Sequence, residues 1–212
     1  MAQISTKYPM SLSIDYPERS LNRLTTLFRI FTIIPIVIIL VLIVGSDGNQ
    51  IQAGDWSWEM GSTYAYVFLP LVLMLLFRKK YPKWWFDWNL AITKFGIRVC
   101  AYIALLRDEY PSTDEEQSVH IEIPYPDAER DLMRGMPLVK WFLAIPHYII
   151  LWFLGVAAFV SIIIAWFAIL FTSTYPKGLF DFVVGVLRWS LRVEVYAFML
   201  TTDRYPPFSL SE

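Results

Sequence analysis

Residues 137–173 form the longest apolar stretch of the chain, with no charged side chain after Lys140. As a single helix, these 37 residues would be roughly 55 Å long, at about 1.5 Å per residue. The hydrocarbon core of a bilayer is only about 30 Å thick. The stretch therefore predicts two membrane spans, at about 138–155 and 157–173, joined by a tight turn near Gly155.

The composition agrees with a membrane protein. Hydrophobic residues make up 56% of the 212 residues and charged residues 17%, whereas soluble domains average about 25% charged. Two further apolar segments, at about 30–45 and 63–77, predict a second pair of spans in the first half. The net charge of −1 gives no basic field for binding nucleic acid.

A motif that occurs twice divides the chain into two halves. Tyr81-Pro82-Lys83 is followed by Asp108-x-Tyr110-Pro111, and Tyr175-Pro176-Lys177 is followed by Asp203-x-Tyr205-Pro206. Eight positions between Tyr81 and Tyr102 have the same or a similar residue 94 positions later, and the closing motif shifts to 95. Residues 27–35 match 138–146 at an offset of 111. The pattern predicts two tandem repeats.

Each repeat has the same predicted order of elements. A short strand with period-two alternation (11–17, then 118–126) precedes an amphipathic helix, a membrane hairpin and a Tyr-Pro-Lys helix. The predicted bounds are 8–111 for repeat 1 and 118–210 for repeat 2, with an acidic linker at 112–117. The fold class is therefore an all-α membrane protein with two pseudo-symmetric repeats, whose short N-terminal strands are expected to pair.

Charge predicts the topology. The 46–62 loop contains no Lys or Arg, so all 18 basic residues lie on the other face of the two hairpins. Basic residues accumulate on the cytoplasmic side. A multi-pass protein of the cytoplasmic (inner) membrane with cytoplasmic termini is predicted. The helices 84–106 and 178–200 carry several charges, each costing about 2.5–3.5 kcal/mol at the bilayer centre. They are predicted to lie in the cytoplasmic interface.

One face of each interfacial helix carries ionisable residues. Asp87, Lys94 and Arg98 fall within about 20° of one another on a helical wheel, and Asp181, Arg188 and Arg192 repeat the pattern. These six residues predict polar contacts between the repeats or a basic pocket for a lipid phosphate. A proton or ion relay is a third possibility if the residues lie within the membrane.

Tryptophan is concentrated on the same helices. Trp84, Trp85 and Trp88 in the first copy and Trp189 in the second are candidate anchors in the membrane interface or at a partner surface. Trp84-Trp85 corresponds to Gly178-Leu179 in the second copy. This difference predicts that one half contacts a partner that the other half does not.

The sequence does not indicate an enzyme, a cofactor or a metal site. It has none of the common nucleophile, zinc-protease, dinucleotide or phosphate-loop motifs. His120 and His147 lack the spacing of metal ligands, and the single cysteine, Cys100, excludes an intramolecular disulfide.

Several segments resemble a bacterial membrane family catalogued as domain of unknown function 4389. They are residues 27–35, Ile145-Pro146-His147, 175–182, 188–193, 197–200 and 202–210. The second half is the more similar. The first departs at Trp84-Trp85 and has no His after Pro35. The resemblance implies a bacterial integral membrane protein and brings no activity, cofactor or catalytic residue.

The preferred hypothesis is a non-enzymatic membrane accessory or assembly subunit that contacts lipids and either self-associates or joins a larger complex. A small transporter or channel, formed by the repeats or between subunits, is the alternative. The predicted spans offer few polar residues to line a pore: Thr32, Ser161 and His147. A hairpin protein that shapes membranes is the third hypothesis.

Overall fold

The computed structural model describes residues 8–17, 20–36, 38, 50–53, 56–59, 69–113 and 115–211. The predicted spans at 30–45 and 63–77, and the loop between them, lie only in part within these residues. The described part is mostly helical, with two short antiparallel strand pairs.

The elements of the first half begin with β1 (Ser11–Ile14) and α1 (Arg23–Thr32). Strands β2 (Gln50–Ala53) and β3 (Trp56–Glu59) pair with each other inside the region predicted as a loop. Helix α2 (Leu69–Arg78) ends in a π-helical turn over Met74–Arg78. Helix α3 (Lys83–Ile103) follows.

The second half contains β4 (Val119–Glu122), α4 (Met136–Leu143), α5 (Ile145–Thr172) and α6 (Lys177–Ala197). Helices α3 and α6 both have 21 residues and begin 94 positions apart, directly after a proline. Proline suits this place because the first N–H groups of a helix need no intrahelical acceptor. The predicted interfacial helices 84–106 and 178–200 thus correspond to α3 and α6.

Strands β1 and β4 pair antiparallel, as the period-two alternation predicts. Leu12 lies opposite Ile121 and Ser13 opposite His120. Leu12 and Ile121 are buried, whereas Ser13 and His120 are exposed. One face of this sheet therefore contacts the core and the other faces outward, as the alternating direction of strand side chains requires.

The predicted turn at Gly155 is wrong, because α5 is one helix of 28 residues, about 42 Å long. The break lies instead between Leu143 and Ile145, just before Pro146, which occupies the first turn of α5. A proline inside a helix removes a hydrogen bond and clashes with the preceding turn, so it is tolerated only at the start. A helical glycine costs only about 1 kcal/mol relative to alanine, so Gly155 does not end the helix.

Helix α6 forms the centre of the fold. Twelve of its residues are buried. Ala144, just before α5, clusters with Ala197, the last residue of α6, so these two helices run antiparallel. Thr93 Oγ1 of α3 donates to Glu194 Oε1 of α6 at 3.1 Å, and Tyr81, just before α3, donates to the Met199 carbonyl just after α6. Helices α3 and α6 therefore also run antiparallel.

The two halves exchange contacts at their Tyr-Pro-Lys motifs. The Tyr16 hydroxyl, after β1, donates to the Tyr175 carbonyl, and the Tyr125 hydroxyl, after β4, donates to the Tyr81 carbonyl. The Tyr16 and Phe180 rings pack edge to face at 5.0 Å. The segment after each strand therefore binds the motif of the opposite half.

Candidate functional site

A buried ion pair joins α4 to the loop that follows α6. Lys140 Nζ lies 2.7 Å from Asp203 Oδ1, and the Lys140 side chain is 0% exposed. Its ammonium also donates to the Thr202 carbonyl at 2.9 Å and lies 5.2 Å from the centre of the Tyr196 ring. The other carboxylate oxygen, Oδ2, accepts from the Met133 backbone N–H at 2.7 Å. We call this group the second clamp.

The first half contains an equivalent group, which we call the first clamp. Arg29 of α1 pairs with Asp108, and its guanidinium lies 4.4 Å from the centre of the Tyr102 ring. Asp108 Oδ2 accepts from the Asn22 backbone N–H at 2.8 Å. Arg29 and Asn22 precede Lys140 and Met133 by 111 positions, whereas Asp108 precedes Asp203 by 95.

In both clamps, burial disfavours the charged form of the basic side chain and the aspartate favours it. Burial lowers the pKa of Lys140, and the Asp203 carboxylate opposes this shift. Burial likewise lowers the pKa of Arg29, against the opposing effects of Asp108 and Tyr102. Breaking a buried ion pair leaves an uncompensated charge, so each clamp ties a short amphipathic helix to the Asp-x-Tyr-Pro loop of its own half.

The aspartates predicted on the polar faces lie on the surface. Asp87 pairs with Lys83 at 3.2 Å, one turn away on the same helix, and both side chains are exposed. Asp181 is also exposed, and Lys94 is half-buried. Surface ion pairs of this kind contribute little to stability.

The arginines predicted on the same faces bind backbone carbonyls. Arg98 donates to Ser112 at 2.7 Å, and Arg192 donates to Ser209 at 3.1 Å and to Ser211. Arg188 Nε donates to the Leu12 carbonyl of β1 at 3.0 Å, and its Nη1 donates to the Leu210 carbonyl at 3.1 Å. Arg188 thus connects the two halves of the chain, and the guanidinium groups of all three arginines hold the chain segments that close each half.

The tryptophans predicted as anchors fall into two groups. Trp84 is 68% exposed and packs edge to face on Trp85, which in turn contacts Trp88. These three residues form the tryptophan patch of α3. The prediction that Trp189 is an interface anchor is wrong, because its side chain is only 5% exposed. Its Nε1 donates to His147 Nδ1 at 3.0 Å, so it belongs to the core and not to an interface.

His147 is a core residue whose surroundings the sequence did not reveal. It is fully buried, stacks on Phe208 at 4.1 Å and contacts Tyr205 at 4.8 Å. Because Nδ1 accepts the Trp189 hydrogen bond, the ring proton of the neutral form resides on Nε2. The equivalent residue in the first half, Ile36, is also buried. This equivalence was the available signal that His147 fills a core position.

An open acidic cleft lies beside the edge of the β1–β4 sheet. It has a volume of about 440 Å³ and is lined by Asp15, Glu109, Glu115, Glu116, Gln117, Ser118 and His120. His120 Nε2 lies 3.3 Å from Asp15 Oδ2. Among the described residues, no cluster of His, Cys, Asp or Glu is arranged to hold a metal ion.

Helix α5 exposes an apolar surface along its whole length. In the described part of the chain it is the one helix long and apolar enough to cross a membrane, and only 17% of its most apolar window is buried. The exposed side chains are Ile145, Ile149, Ile150, Trp152, Phe153, Val156, Phe159, Val160, Ile163, Ile164, Phe167 and Phe171. A helix in the core of a soluble protein is mostly buried.

Residues 136–209 match the family model described as Domain of unknown function (DUF4389). The match covers α4, α5, α6 and the closing segment, including Lys140 and Asp203 of the second clamp but not Met133. It coincides with the half in which the sequence resemblance is stronger. No curated protein and no solved structure matches the chain.

Proposed function

We propose that the protein is a non-enzymatic accessory or assembly subunit of the bacterial cytoplasmic membrane. The apolar surface of α5 binds membrane lipids, and the tryptophan patch of α3 contacts a second copy or a larger membrane complex. The observation that carries this proposal is the surface of α5, which has no charged residue between Ile145 and Thr172 and leaves large side chains uncovered. Exposed apolar surfaces of this extent mark interaction sites.

We also propose that the chain consists of two tandem copies of one unit. Equal lengths of α3 and α6, at an offset of 94, support this reading. The first and second clamps, whose residues occupy matching positions in the two halves, also support it. Backbone positions in the left-handed region add further support, with φ values of 51° at Lys79 and 59° at Ser173, again 94 positions apart.

The proposed topology keeps both termini on the cytoplasmic side. The first apolar pair, 30–45 and 63–77, enters the membrane as a hairpin, and the 46–62 loop between them has no basic residue. This distribution follows the positive-inside tendency.

The tryptophan patch is the proposed protein-binding surface. Trp84 and Trp88 are exposed, whereas the equivalent positions in α6 are Gly178 and Phe182. Large aromatic side chains often dominate the energy of protein interfaces. The asymmetry gives the first half a surface that the second half lacks.

Fractionation and mild-detergent purification from native membranes test the proposal. The wild-type protein is expected to remain in membranes after an alkaline wash and to elute with a stoichiometric partner or as a homo-oligomer. Trp84→Ala with Trp88→Ala should lose the partner and stay in the membrane. The matched control, Trp152→Ala on the exposed surface of α5, should keep the partner.

The alternative functions correspond to different results of the same preparation. A pure homo-oligomer that conducts ions in liposomes would replace the accessory role with a channel. Liposomes drawn into tubules by the purified protein would favour membrane shaping. Recovery of the wild-type protein in the soluble fraction would contradict membrane binding itself.

A further inference from the structure

The orientation of α5 is tied to that of α6, because the two helices pack antiparallel along most of their length. Ala144 clusters with Val193 and Ala197 at one end. Ala165 and Ile169 belong to the same core cluster as Tyr175 and Phe180 at the other. If α5 crossed a bilayer, α6 would be carried to the same depth.

The side of α6 opposite α5 is covered by β1 and by the closing segment of the chain. Arg188, which binds β1, lies about 140° around the helix from Val193, which packs towards α5. The outer face of the β1–β4 sheet exposes Ser13, His120 and Glu122. A crossing orientation would expose this polar face to lipid tails, where each unsatisfied polar group costs several kcal/mol.

Basic residues occur at both ends of α5. Near its C-terminal end, Arg23 donates to the Ser173 hydroxyl at 2.6 Å and to the Phe171 carbonyl at 3.1 Å, and exposed Lys177 begins α6. Arg134 and Arg204 are exposed near the N-terminal end. Because basic residues favour the cytoplasmic side, this distribution argues for both ends on one side.

The apolar surface extends beyond α5 onto its neighbours. Trp166 of α5 donates to the Thr26 carbonyl of α1, and α1 exposes Phe28 and Phe31 beside it. On the other flank, α4 exposes Phe142. The α5 strip alone is about 42 Å long and 10 Å wide. A broad, continuous apolar surface without charged residues suits acyl chains better than a second copy, since protein interfaces have a polar rim.

We propose that α5 lies along the cytoplasmic surface of the membrane, with acyl chains covering its outer face, instead of crossing the bilayer. This inference rests on the proposed membrane binding and specifies its geometry. The helix is apolar all round because one side packs on α6 and the other contacts lipid. The β1–β4 sheet then faces the cytoplasm.

Cysteine labelling of the full-length protein tests the orientation. Cys100→Ala removes the single cysteine, and Arg134→Cys or Thr174→Cys adds one near either end of α5. We expect an impermeant maleimide to label both variants in inside-out vesicles and neither in intact spheroplasts. Labelling of the two ends from opposite sides would overturn the proposal. Wild-type protein in the soluble fraction would contradict the proposed function instead.

Spin-label depth gives an independent measurement. Nitroxides at Trp152→Cys, Phe159→Cys and Phe171→Cys should all lie about 5–10 Å below the headgroup boundary. A crossing helix would make their depths differ by more than about 10 Å. His120→Cys on the sheet is the control and should remain in water. Spin coupling between copies without a depth signal would identify a second copy as the occupant and refute lipid contact.

Discussion

Removal of Asp203 should strongly destabilise the fold. In Asp203→Ala, the Lys140 ammonium, with a side chain that is 0% exposed, would keep only the Thr202 carbonyl and the Tyr196 ring. Breaking a buried pair in this way costs about 3–5 kcal/mol. Since a change of 1 kcal/mol shifts the Tm of a domain this size by about 2–4 °C, the Tm should fall by roughly 6–20 °C.

Asp108→Ala is the matched control from the first clamp and should cost less. Asp108 is 29% exposed, compared with 14% for Asp203. Arg29 would keep hydrogen bonds to the Tyr102 carbonyl at 2.8 Å and the Arg107 carbonyl at 3.1 Å. We expect a loss of about 1–3 kcal/mol, typical of a buried donor that loses one hydrogen-bond partner.

Thermal unfolding in a mild detergent, followed by tryptophan fluorescence, measures both variants. The sign of the pH dependence provides a second test. Asp203 raises the pKa of Lys140 against the lowering effect of burial. Without it the folded pKa of Lys140 falls further below the unfolded value. The variant should therefore gain stability relative to wild type as pH rises from that lowered pKa to the unfolded value.

Rescue separates the ion pair from other effects of the substitution. Lys140→Met combined with Asp203→Asn removes both charges and should recover much of the lost stability. A stability of Asp203→Ala within about 1 kcal/mol of wild type, a value typical of exposed pairs, would refute a stabilising buried pair. The reasoning is also refuted if the double variant is less stable than Asp203→Ala.

Three further predictions concern helix packing and acid stability. Gly185→Ala should destabilise the fold because its Cβ would lie 2.9 Å from Leu210 Cβ. Gly96→Ala is the matched control: its Cβ meets nothing within 4 Å, and the variant should be more stable by about 0.5–1 kcal/mol. Chemical denaturation of both variants measures the difference in their free energies of unfolding. In Gly155→Ala the new Cβ also meets nothing within 4 Å, so the Tm should be unchanged or higher. A lower Tm would instead support the turn predicted at Gly155. Burial raises the pKa of Glu109, but hydrogen bonds from Ser118 and Arg107 hold it below its ordinary value. Its contribution to stability is therefore present at neutral pH and lost as pH falls through the lowered value. The protection factor of the Ser118 amide, which is the exchange rate corrected for its intrinsic pH dependence, should fall on acidification in the wild type and not in Glu109→Gln.

Local patterns predicted β1, β4 and the long helices α3 and α6, but not β2 and β3, which lie in the predicted 46–62 loop. Alternation at 11–14 and 119–122 depends only on which face of a strand is buried, and the observed sheet has that alternation. The bounds of α3 and α6 follow from a proline at each start. These features are set by the local backbone and by the period of the side chains.

The division of residues 137–173 was predicted incorrectly because the 37 residues were treated as one uninterrupted helix, whereas one helix ends at Leu143 and the next begins at Ile145. A 28-residue helix is too long only for a perpendicular crossing, and its true break is set by Pro146. Trp189 was misassigned because its burial depends on a different helix, α5. Its place on the inner side of α6 depends on contact with His147, which no spacing within α6 reveals.

The clamps could have been found from the sequence, because the matches between its two halves contain their residues. Lys140 falls on Arg29 at the offset of 111, and Asp203 falls on Asp108 at the offset of 95. A basic residue at the same position of two matching apolar segments, with an aspartate that also occurs in both halves, indicates a buried ion pair. The pairing itself needed the structure, since Arg29 and Asp108 are 79 positions apart.

The contacts within each half and the contacts between the halves have different consequences for folding. Each clamp lies within one half of the chain, so it can form before the other half is present. The strand pairing and the tyrosine contacts cross between halves: β1 pairs with β4, Tyr16 binds Tyr175, and Tyr125 binds Tyr81. An isolated half would therefore keep its clamp but leave a strand edge and a Tyr-Pro-Lys carbonyl unpaired. Because unpaired strand edges promote association, separated halves should dimerise by restoring the same exchange between two chains.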